Sequence, residues 1–362
     1  MVDSQLLVAL NMIPQLGSRR IQDIAGRFEN LSRFLKADRE ELMEIPGISE
    51  KLSERIIKYR AHINPDQEAA RAKKIGAKII TLMDEDYPEL LKQIYDPPPV
   101  LYVLGDISTL KYNAVAIVGT RKATAYGRNV AENFARELAL FEINVVSGMA
   151  RGIDSHAHKG AAEAGGPTTA VLGCGVDIIY PPENMQLARN IINCGCIISS
   201  FPIGQRPLAG NFPARNRIIS GLSLGTVVVE AAEKSGSLIT ADFSLEQGRE
   251  VFAVPGSIFS PYSRGTHKLI KQGAKLVENV TDILEELCLA GEGDARPDEI
   301  KKDQNVTDRE KSVLGLIDFQ PTHVEELLAK SQKTSHELNS ILTRLELKGL
   351  IVTLPGGFVM KI

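Results

Sequence analysis

Residues Ser199–Gly256 read SSFPIGQRPLAGNFPARNRIISGLSLGTVVVEAAEKSGSLITADFSLEQGREVFAVPG, and their pattern decides the fold. Two apolar runs in this stretch, Thr226–Val229 and Val251–Val254, have the length and composition of buried strands. Segments rich in Gly, Ser, Asn and Arg precede and separate them. The stretch therefore predicts strands of a sheet joined by polar loops.

The seven residues Asn211–Arg217 hold the densest group of functional side chains in this stretch. They combine one aromatic ring, two guanidinium groups and two amides. Planar cationic donors suit phosphate, and an aromatic ring offers a face on which an unpaired base stacks. We predict that one loop here meets both needs.

The strand pattern extends in both directions from this stretch. From residue 113 to about 289, strand and helix candidates alternate, which predicts an α/β fold with a mostly parallel sheet and helices on both faces. Ligands of such sheets bind beyond the carboxyl ends of the strands. The predicted strands are Ala114–Val118, Asn144–Ser147, Thr168–Leu172, Ile197–Ser200, Thr226–Val229, Val251–Val254 and Lys275–Val277. The predicted helices are Arg128–Leu140, His156–Ala164, Asn184–Asn193, Phe243–Glu246 and His267–Gln272.

The flanking segments predict two smaller modules. Residues 1–63 are helical in pattern, and the turn Ile45-Pro46-Gly47-Ile48 resembles that of a helix-hairpin-helix (SAM-like) domain, which leaves phosphate binding and plain packing both open. Residues 64–289 form the sheet domain, whose edge strands we place at Ala77–Leu82 and Pro99–Leu104.

The carboxyl-terminal part begins with a polar linker, residues 290–306. Residues 307–362 predict three helices and a hairpin, a winged-helix-like outline, with Thr307 capping the first helix. Their seven basic residues equal their seven acidic ones, so DNA reading and protein contact both stay open.

Composition limits the function classes. The chain has 362 residues and a net charge of −3, so any nucleic-acid binding must depend on a local patch. Its four cysteines form no CxxC pair and are expected to be reduced thiols in a cytosolic protein. The sequence shows no apolar run of about 18 residues, so we expect neither a signal peptide nor a membrane span.

Cofactor and metal motifs are missing. The loop Gly119-Thr120-Arg121 lacks the glycines of a dinucleotide site, and no P-loop occurs. Arg121 instead suits an external phosphate held against a helix start, the alternative being an ion pair with a local carboxylate. His156 and His158 fall on different sides of a helix, so we expect packed histidines behind an Asp154 cap and no metal site.

One enzyme class stays open as an alternative. Nucleotide phosphoribohydrolases with a Rossmann-like fold carry PGGxGTxxE, and this chain has Gly225-Thr226 followed by Glu230. The leading PGG is absent and the glutamate is displaced by one residue. Hydrolysis of a nucleotide is therefore the second hypothesis.

Several segments, in order, closely resemble the DNA-processing protein A (DprA, also called Smf) family. They are Val118–Arg121, Ser147–Asp154, Phe212–Ser223, Ser235–Leu238, Glu246–Gly256 and Leu269–Ala274. The resemblance implies an extended Rossmann-like core in a cytoplasmic bacterial protein that binds single-stranded DNA. It further implies a homodimer that protects incoming strands and loads the RecA recombinase during natural transformation, with no cofactor and no enzymatic activity.

The resemblance also implies roles for individual residues. Arg121, Arg215 and Arg217 would hold phosphates and Phe212 would stack a base, while Ser147 and Asn216 would form hydrogen bonds. Gly148 and Gly173 would allow the strand to approach the backbone closely. Some relatives carry a lysine where this chain has Ala209 and Gly210, and Arg206 is its possible replacement. The alternative for Arg215 and Arg217 is an internal ion pair with Glu230 or Glu233.

The family's pairing surface would fall on Thr266–Val277. The candidate residues for a homodimer contact are His267, Leu269, Ile270 and Leu276. Ordinary core-facing positions are the alternative, and for Ile270 the two interpretations carry equal weight.

Overall fold

The computed structural model describes residues 3–289, 307–318 and 321–361. The chain divides into two compact units, Met1–Ala290 and Gly291–Ile362. The predicted linker, residues 290–306, lies outside the described residues. Within the described ranges, no helix combines the length and the apolar character needed to cross a bilayer.

The larger unit begins with a helical module that has its own core. Most of its helices begin at a side-chain cap, as at Asp3, Asn30 and Ser49, which satisfies backbone N–H groups of the first turn. Buried Leu6, Phe34 and similar residues pack together in its centre. The helices are α1 (Ser4–Asn11), α2 (Ser18–Phe28), α3 (Leu31–Lys36), α4 (Arg39–Met43), α5 (Glu50–Arg60) and α6 (Pro65–Lys74).

A nine-stranded sheet follows, in the order β1-β2-β6-β5-β4-β3-β7-β8-β9. The first two strands are antiparallel to their neighbours at one edge, and β3 to β9 are parallel. The strands are β1 (Lys78–Thr81), β2 (Val100–Gly105), β3 (Ala114–Val118), β4 (Asn144–Ser147), β5 (Thr168–Val171), β6 (Cys196–Ser199), β7 (Gly225–Val228), β8 (Glu250–Ala253) and β9 (Lys275–Leu276).

Helices cover both faces of this sheet, so the predicted α/β architecture is confirmed. Strand β3 shows why, since Val115 and Ile117 pack on one face and Ala116 and Val118 on the other. Burial on both faces is the reason that such strands are apolar throughout. The helices are α7 (Glu89–Lys92), α8 (Ala125–Leu140), α9 (Ile153–Glu163), α10 (Met185–Cys194), α11 (Asn211–Gly221), α12 (Gly236–Glu246), α13 (Arg264–Lys271) and α14 (Val280–Glu286).

The prediction of a loop over Asn211–Arg217 is wrong, because these residues form the first turns of α11. Pro213 lies in the first turn, where a helix does not require its missing N–H. Buried Ile218 and Ile219 then fix the helix against the sheet. Residues two positions apart on a helix do not face the same way, so Arg215 and Arg217 cannot serve one site.

Residues 307–318 and 321–361 of the smaller unit form three helices and a three-stranded sheet, the outline predicted for a winged helix. Thr307 caps its first helix in a capping box with Glu310, as predicted. Leu338, Leu342 and Leu345 of the third helix are buried in its core. The elements are α15 (Asp308–Leu314), β10 (Thr322–His323), α16 (Val324–Ser331), α17 (Ser335–Leu347), β11 (Ile351–Leu354) and β12 (Phe358–Lys361).

Candidate functional site

A cleft of about 700 Å³ opens at the carboxyl ends of the parallel strands. It lies beside β3, where the strand order reverses: β4 to β6 extend to one side and β7 to β9 to the other. Open α/β sheets bind ligands at such a switch point. The lining includes Gly119 and Arg121 after β3, Ala150 and Asp154 after β4, Tyr180, Pro207, Ala209, Phe212, Arg215 and Asn216, and Ser235, Gly236 and Ser237.

Phe212 stands in the wall of the cleft and is half-buried. Its ring centroid lies 5.8 Å from that of Tyr180, and the Cζ of Arg121 lies 5.4 Å from it. A Cβ on Gly173 would approach the ring's Cδ1 to 3.1 Å, so the missing side chain gives the ring its space. Gly173, which follows β5, therefore leaves the space that the ring of Phe212 occupies, and it does not itself line the cleft.

Arg121 is the exposed cation of the cleft. In the described part of the chain, no carboxylate lies within ion-pair distance of its guanidinium and no group accepts a hydrogen bond from it. The alternative of a local carboxylate partner is therefore not what the geometry shows. A planar, always charged group that is open to solvent beside an aromatic ring suits a phosphate ligand.

Arg215 has a different environment, because its side chain is only 3% exposed. Its Nη1 donates to the carbonyls of Gly148 (2.6 Å) and Val171, at the ends of β4 and β5. Burial lowers the pKa of Arg215 to about 10, while the nearby Asp154 carboxylate opposes that shift. Arg215 borders the cleft, but its guanidinium is bound to the backbone of the cleft floor. Its partners are backbone carbonyls and not Glu230 or Glu233, the alternative partners predicted from the sequence.

Asp154 lies beneath the same floor. It was predicted as the N-cap of α9, but Gly152 occupies that position and Asp154 lies in the first turn. Its carboxylate accepts a hydrogen bond from the backbone N–H of Ala150 at 3.3 Å. Burial raises its pKa, although Arg215 and Arg121 both oppose that shift. Gly148 contributes to both groups, because its carbonyl accepts from Arg215 and its backbone N–H favours a lower pKa of Asp154.

Arg217 and Ser147 do not line the cleft, so the structure does not bring them together with the other predicted DNA contacts. Arg217 forms an ion pair with Asp96 at 3.1 Å and donates to the Ser18 hydroxyl at 2.9 Å. It therefore joins α11 to the helical module. Ser147 is fully buried, and its hydroxyl donates to the carbonyl of Ile117 at 2.6 Å, which holds β3 and β4 together.

Asn216 borders the cleft as predicted, but its side chain is partly engaged. Its Oδ1 accepts from the Nε of Arg215 at 3.2 Å, and its Nδ2 donates to the carbonyl of Gly236 at 3.4 Å. Arg206, the possible substitute for the missing lysine, is exposed and is not part of the lining.

Glu230 follows β7 but points away from the cleft lining. Its carboxylate accepts from the backbone N–H of Thr124 (2.9 Å) and from the Thr124 hydroxyl (2.6 Å), so it anchors the start of α8. His158 is fully buried against Thr168, and His156 pairs with Glu132. In the ranges that the structure describes, no group of His, Cys, Asp and Glu could hold a metal ion.

The four predicted pairing residues lie in different environments. Leu269 is buried in the sheet core, which agrees with the core-facing alternative. Ile270 is half-buried and packs against that core, and the Nε2 of His267 lies 3.1 Å from the carbonyl of Gly256. Leu276, at 43% exposure, is open.

One part of the cleft was not predicted from sequence. Tyr180, which contacts Phe212, lies in a long loop that carries no local motif. The Ser235–Ser237 turn forms the opposite wall. Its position after β7 and at the start of α12 agrees with the sequence pattern, which places this polar cluster at the carboxyl ends of the parallel strands.

Comparison with known proteins identifies the family of each part of the chain. The family model for DNA recombination-mediator protein A matches residues 78–288. Models for a SAM-like helix-hairpin-helix tandem and for a DprA winged helix domain match residues 7–59 and 297–357, which confirms the two predicted flanking modules.

Relatives and solved structures cover most of the chain between them. The DNA processing protein DprA of Bacillus subtilis is 49% identical to this chain, over 59% of this chain and 72% of its own length. Protein Smf of Escherichia coli is 42% identical, over 78% of this chain and 76% of its own length. The crystal structure of DprA from Streptococcus pneumoniae has a TM-score of 0.70 at 35% identity, over 79% of this chain and 99% of that one. The structure of DNA processing protein A from Helicobacter pylori, which concerns its single-stranded DNA binding mode, has a TM-score of 0.54 at 31% identity. It covers 59% of this chain and 95% of that one.

Proposed function

Because the chain belongs to the DNA recombination-mediator protein A family, we propose that it binds single-stranded DNA in the cleft beside Phe212 and passes the strand to RecA. The observation that carries the proposal is an exposed Arg121, with no carboxylate partner among the described residues, beside the half-buried ring of Phe212 in the wall of the cleft. A relative that binds single-stranded DNA, the Helicobacter pylori protein, supports it.

Within the cleft, the proposed roles differ from one arginine to the next. Arg121 binds a phosphate, and Phe212 stacks a base, which in comparable sites contributes about 1–3 kcal/mol. Arg215 is a positioning residue, because it ties the ends of β4 and β5 to the helix that carries Phe212. Asn216 offers a weakly held amide to the ligand. Phosphates and base faces carry no unique code, so little sequence preference is expected.

Binding, and not catalysis, is proposed as the activity of the cleft. The glutamate that suggested a phosphoribohydrolase, Glu230, is held by Thr124 outside the lining. Incubation with AMP or CMP tests this alternative, and release of free base would support it.

The proposal includes a homodimer in the cytoplasm of a naturally transforming or DNA-processing bacterium. Of the predicted pairing residues, Leu276 is open and Ile270 is half-buried, and these two are retained. Light scattering tests the dimer. Leu276→Asp is expected to halve the mass, and a wild-type chain that is monomeric at all concentrations would contradict the dimer.

Fluorescence anisotropy across a salt series is the direct test of the cleft. We expect single-stranded DNA to bind in preference to duplex, with log Kd rising linearly with log salt because bound phosphates release counterions. Phe212→Ala and Arg121→Ala should each weaken binding without unfolding the chain. Wild-type affinity in either variant would contradict this site.

RecA loading is tested separately. The chain is added to single-stranded DNA that is covered by a single-strand-binding protein, and the lag before RecA hydrolyses ATP is measured. A shorter lag is expected, and Arg121→Ala should restore it. An unchanged lag with the wild-type chain would restrict the function to strand binding.

A further inference from the structure

An open aromatic residue lies near the cleft on the loop after β8. Phe259 is 89% exposed and its neighbour Ile258 is 75% exposed. Large apolar side chains that are contiguous on a protein surface mark sites of contact with a ligand or partner. Here both stand on residues 254–263, at the same carboxyl edge of the sheet as the cleft.

This loop is held firmly against the loop that follows β7. The backbone N–H of Ala231 donates to the carbonyl of Tyr262 (2.7 Å), and that of Gly265 donates to the carbonyl of Ala231 (2.8 Å). A Cβ on Gly265 would lie 2.7 Å from the Cβ of Ala231, so the two loops are in close contact. The β7 loop continues from Ala231 into Ser235–Ser237, which line the cleft. The Phe259 loop is therefore continuous with the cleft wall.

The surface that connects them is cationic. Arg121 and Lys122 follow β3, Lys234 follows β7, and Arg264 begins α13, and all four side chains are exposed. Residues 119–124, 229–235 and 254–264, all of them described, contain one exposed carboxylate, Glu233. Among described residues, none of the four cations has an ion-pair partner. This local excess occurs on a chain with a net charge of −3.

We propose that Phe259 and these cations form a second platform for the same strand, on which bases beyond those in the cleft stack. The proposal rests on the proposed single-stranded DNA binding and extends it across β7 and β8. A polyanion with exposed ring faces is the occupant that the charges and the open ring both favour. A second copy of this chain, with its own net negative charge but no base to stack, is the competing occupant.

Oligonucleotide length separates the platform from the cleft. We measure anisotropy with oligothymidylates of about 4 and about 16 nucleotides, which bracket the strand lengths that single domains of this kind of binder cover. Phe259→Ala should weaken binding of the longer strand by about 5-fold or more, the effect of one lost stacked base. Binding of the shorter strand, which the cleft accommodates, should be unchanged.

A matched aromatic control is available at the other end of the sheet. Tyr112 is also exposed but precedes β3, at the amino edge. Tyr112→Ala should leave both lengths unaffected. Phe259→Tyr should retain binding of the longer strand, whereas Phe259→Leu, which is apolar but has no ring, should not.

Three outcomes overturn the platform. Equal losses for both lengths would place Phe259 in the cleft itself, no loss for either would remove it from the interface, and a change of mass in light scattering would make it a protein contact. Failure of the wild-type chain to bind either length would refute the proposed function as well, so the two failures are distinct.

Discussion

Replacement of Arg215 by methionine tests whether this arginine stabilises the fold or serves only to bind a ligand. Methionine retains length and packing but removes the charge and the donors. The carbonyls of Gly148 and Val171 then lose a buried donor, at a cost of about 1–3 kcal/mol each. Asp154 also loses the cation that most strongly opposes the rise of its pKa, although removal of the buried guanidinium charge returns part of the desolvation penalty of Arg215. We expect a net loss of about 3 kcal/mol in the free energy of unfolding.

Urea denaturation followed by tyrosine fluorescence measures this loss in the relevant unit. The chain has no tryptophan, and all eight tyrosines precede residue 290, so the signal reports the larger unit alone. Arg121→Met is the matched control. It removes an exposed guanidinium from the same cleft and should change stability by less than about 0.5 kcal/mol.

Arg215→Met should therefore change mainly the stability of the larger unit, and Arg121→Met mainly its binding of single-stranded DNA. The first should lower the urea midpoint at an unchanged slope, and the second should weaken single-stranded DNA binding. A wild-type midpoint for Arg215→Met, together with a binding loss equal to that of Arg121→Met, would refute the reasoning. It would mean that the guanidinium is held for the ligand and that its carbonyl contacts contribute nothing.

Three further predictions follow from the same geometry. Arg121→Ala should reduce the slope of log Kd against log salt by about 0.7, the share of one phosphate on a single strand, and an unchanged slope would exclude that contact. Gly173→Ala should weaken single-stranded DNA binding, since its Cβ would lie 3.1 Å from the Phe212 ring, whereas Gly210→Ala, with no atom within 4 Å, should have no effect. Burial lowers the pKa of His158 to about 3. Between pH 6.5 and pH 3 the unfolded chain therefore binds one proton more than the folded chain does, and the contribution of neutral His158 to stability is fully present above pH 6.5. As the pH falls through this range, the larger unit should lose about 1.4 kcal/mol per pH unit, and His158→Gln should flatten that dependence in urea titrations. A slope in the variant that parallels the wild type would assign the effect to another group.

The strands of the sheet were predictable from local sequence because they are buried on both faces. Runs such as Ala114–Val118 and Asn144–Ser147 were predicted with the bounds that the structure has. A parallel strand between two helical layers favours apolar residues on both faces. The buried polar residues at the ends of β4, Asn144 and Ser147, are tolerated because their side chains are hydrogen-bonded. Lys78–Thr81 lies at an edge of the sheet as predicted. The predicted edge position of the second strand is wrong, because Val100–Gly105 pairs with β1 on one side and with β6 on the other.

Helix α11 shows where local reading failed. Gly210 and Pro213 bracket its first turn and are typical of loops, yet a proline is compatible with that turn. The helix is stabilised by the burial of Ile218 and Ile219 against the sheet, a contact between distant parts of the chain. The family resemblance located Phe212 in the cleft region, but it did not distinguish one nearby arginine from another.

The sequence by itself determined the layered α/β fold, the flanking modules and the edge of the sheet at which a ligand would bind, because periodicity and strand composition are local properties. Only the tertiary structure decided which of three chemically identical arginines is available. Arg215 is bound to the carbonyl of Gly148 and Arg217 to Asp96 and Ser18, partners that lie 67, 121 and 199 residues away in the chain. Availability of a charge depends on desolvation and on partners that folding brings near, and neither is visible in the residues beside it.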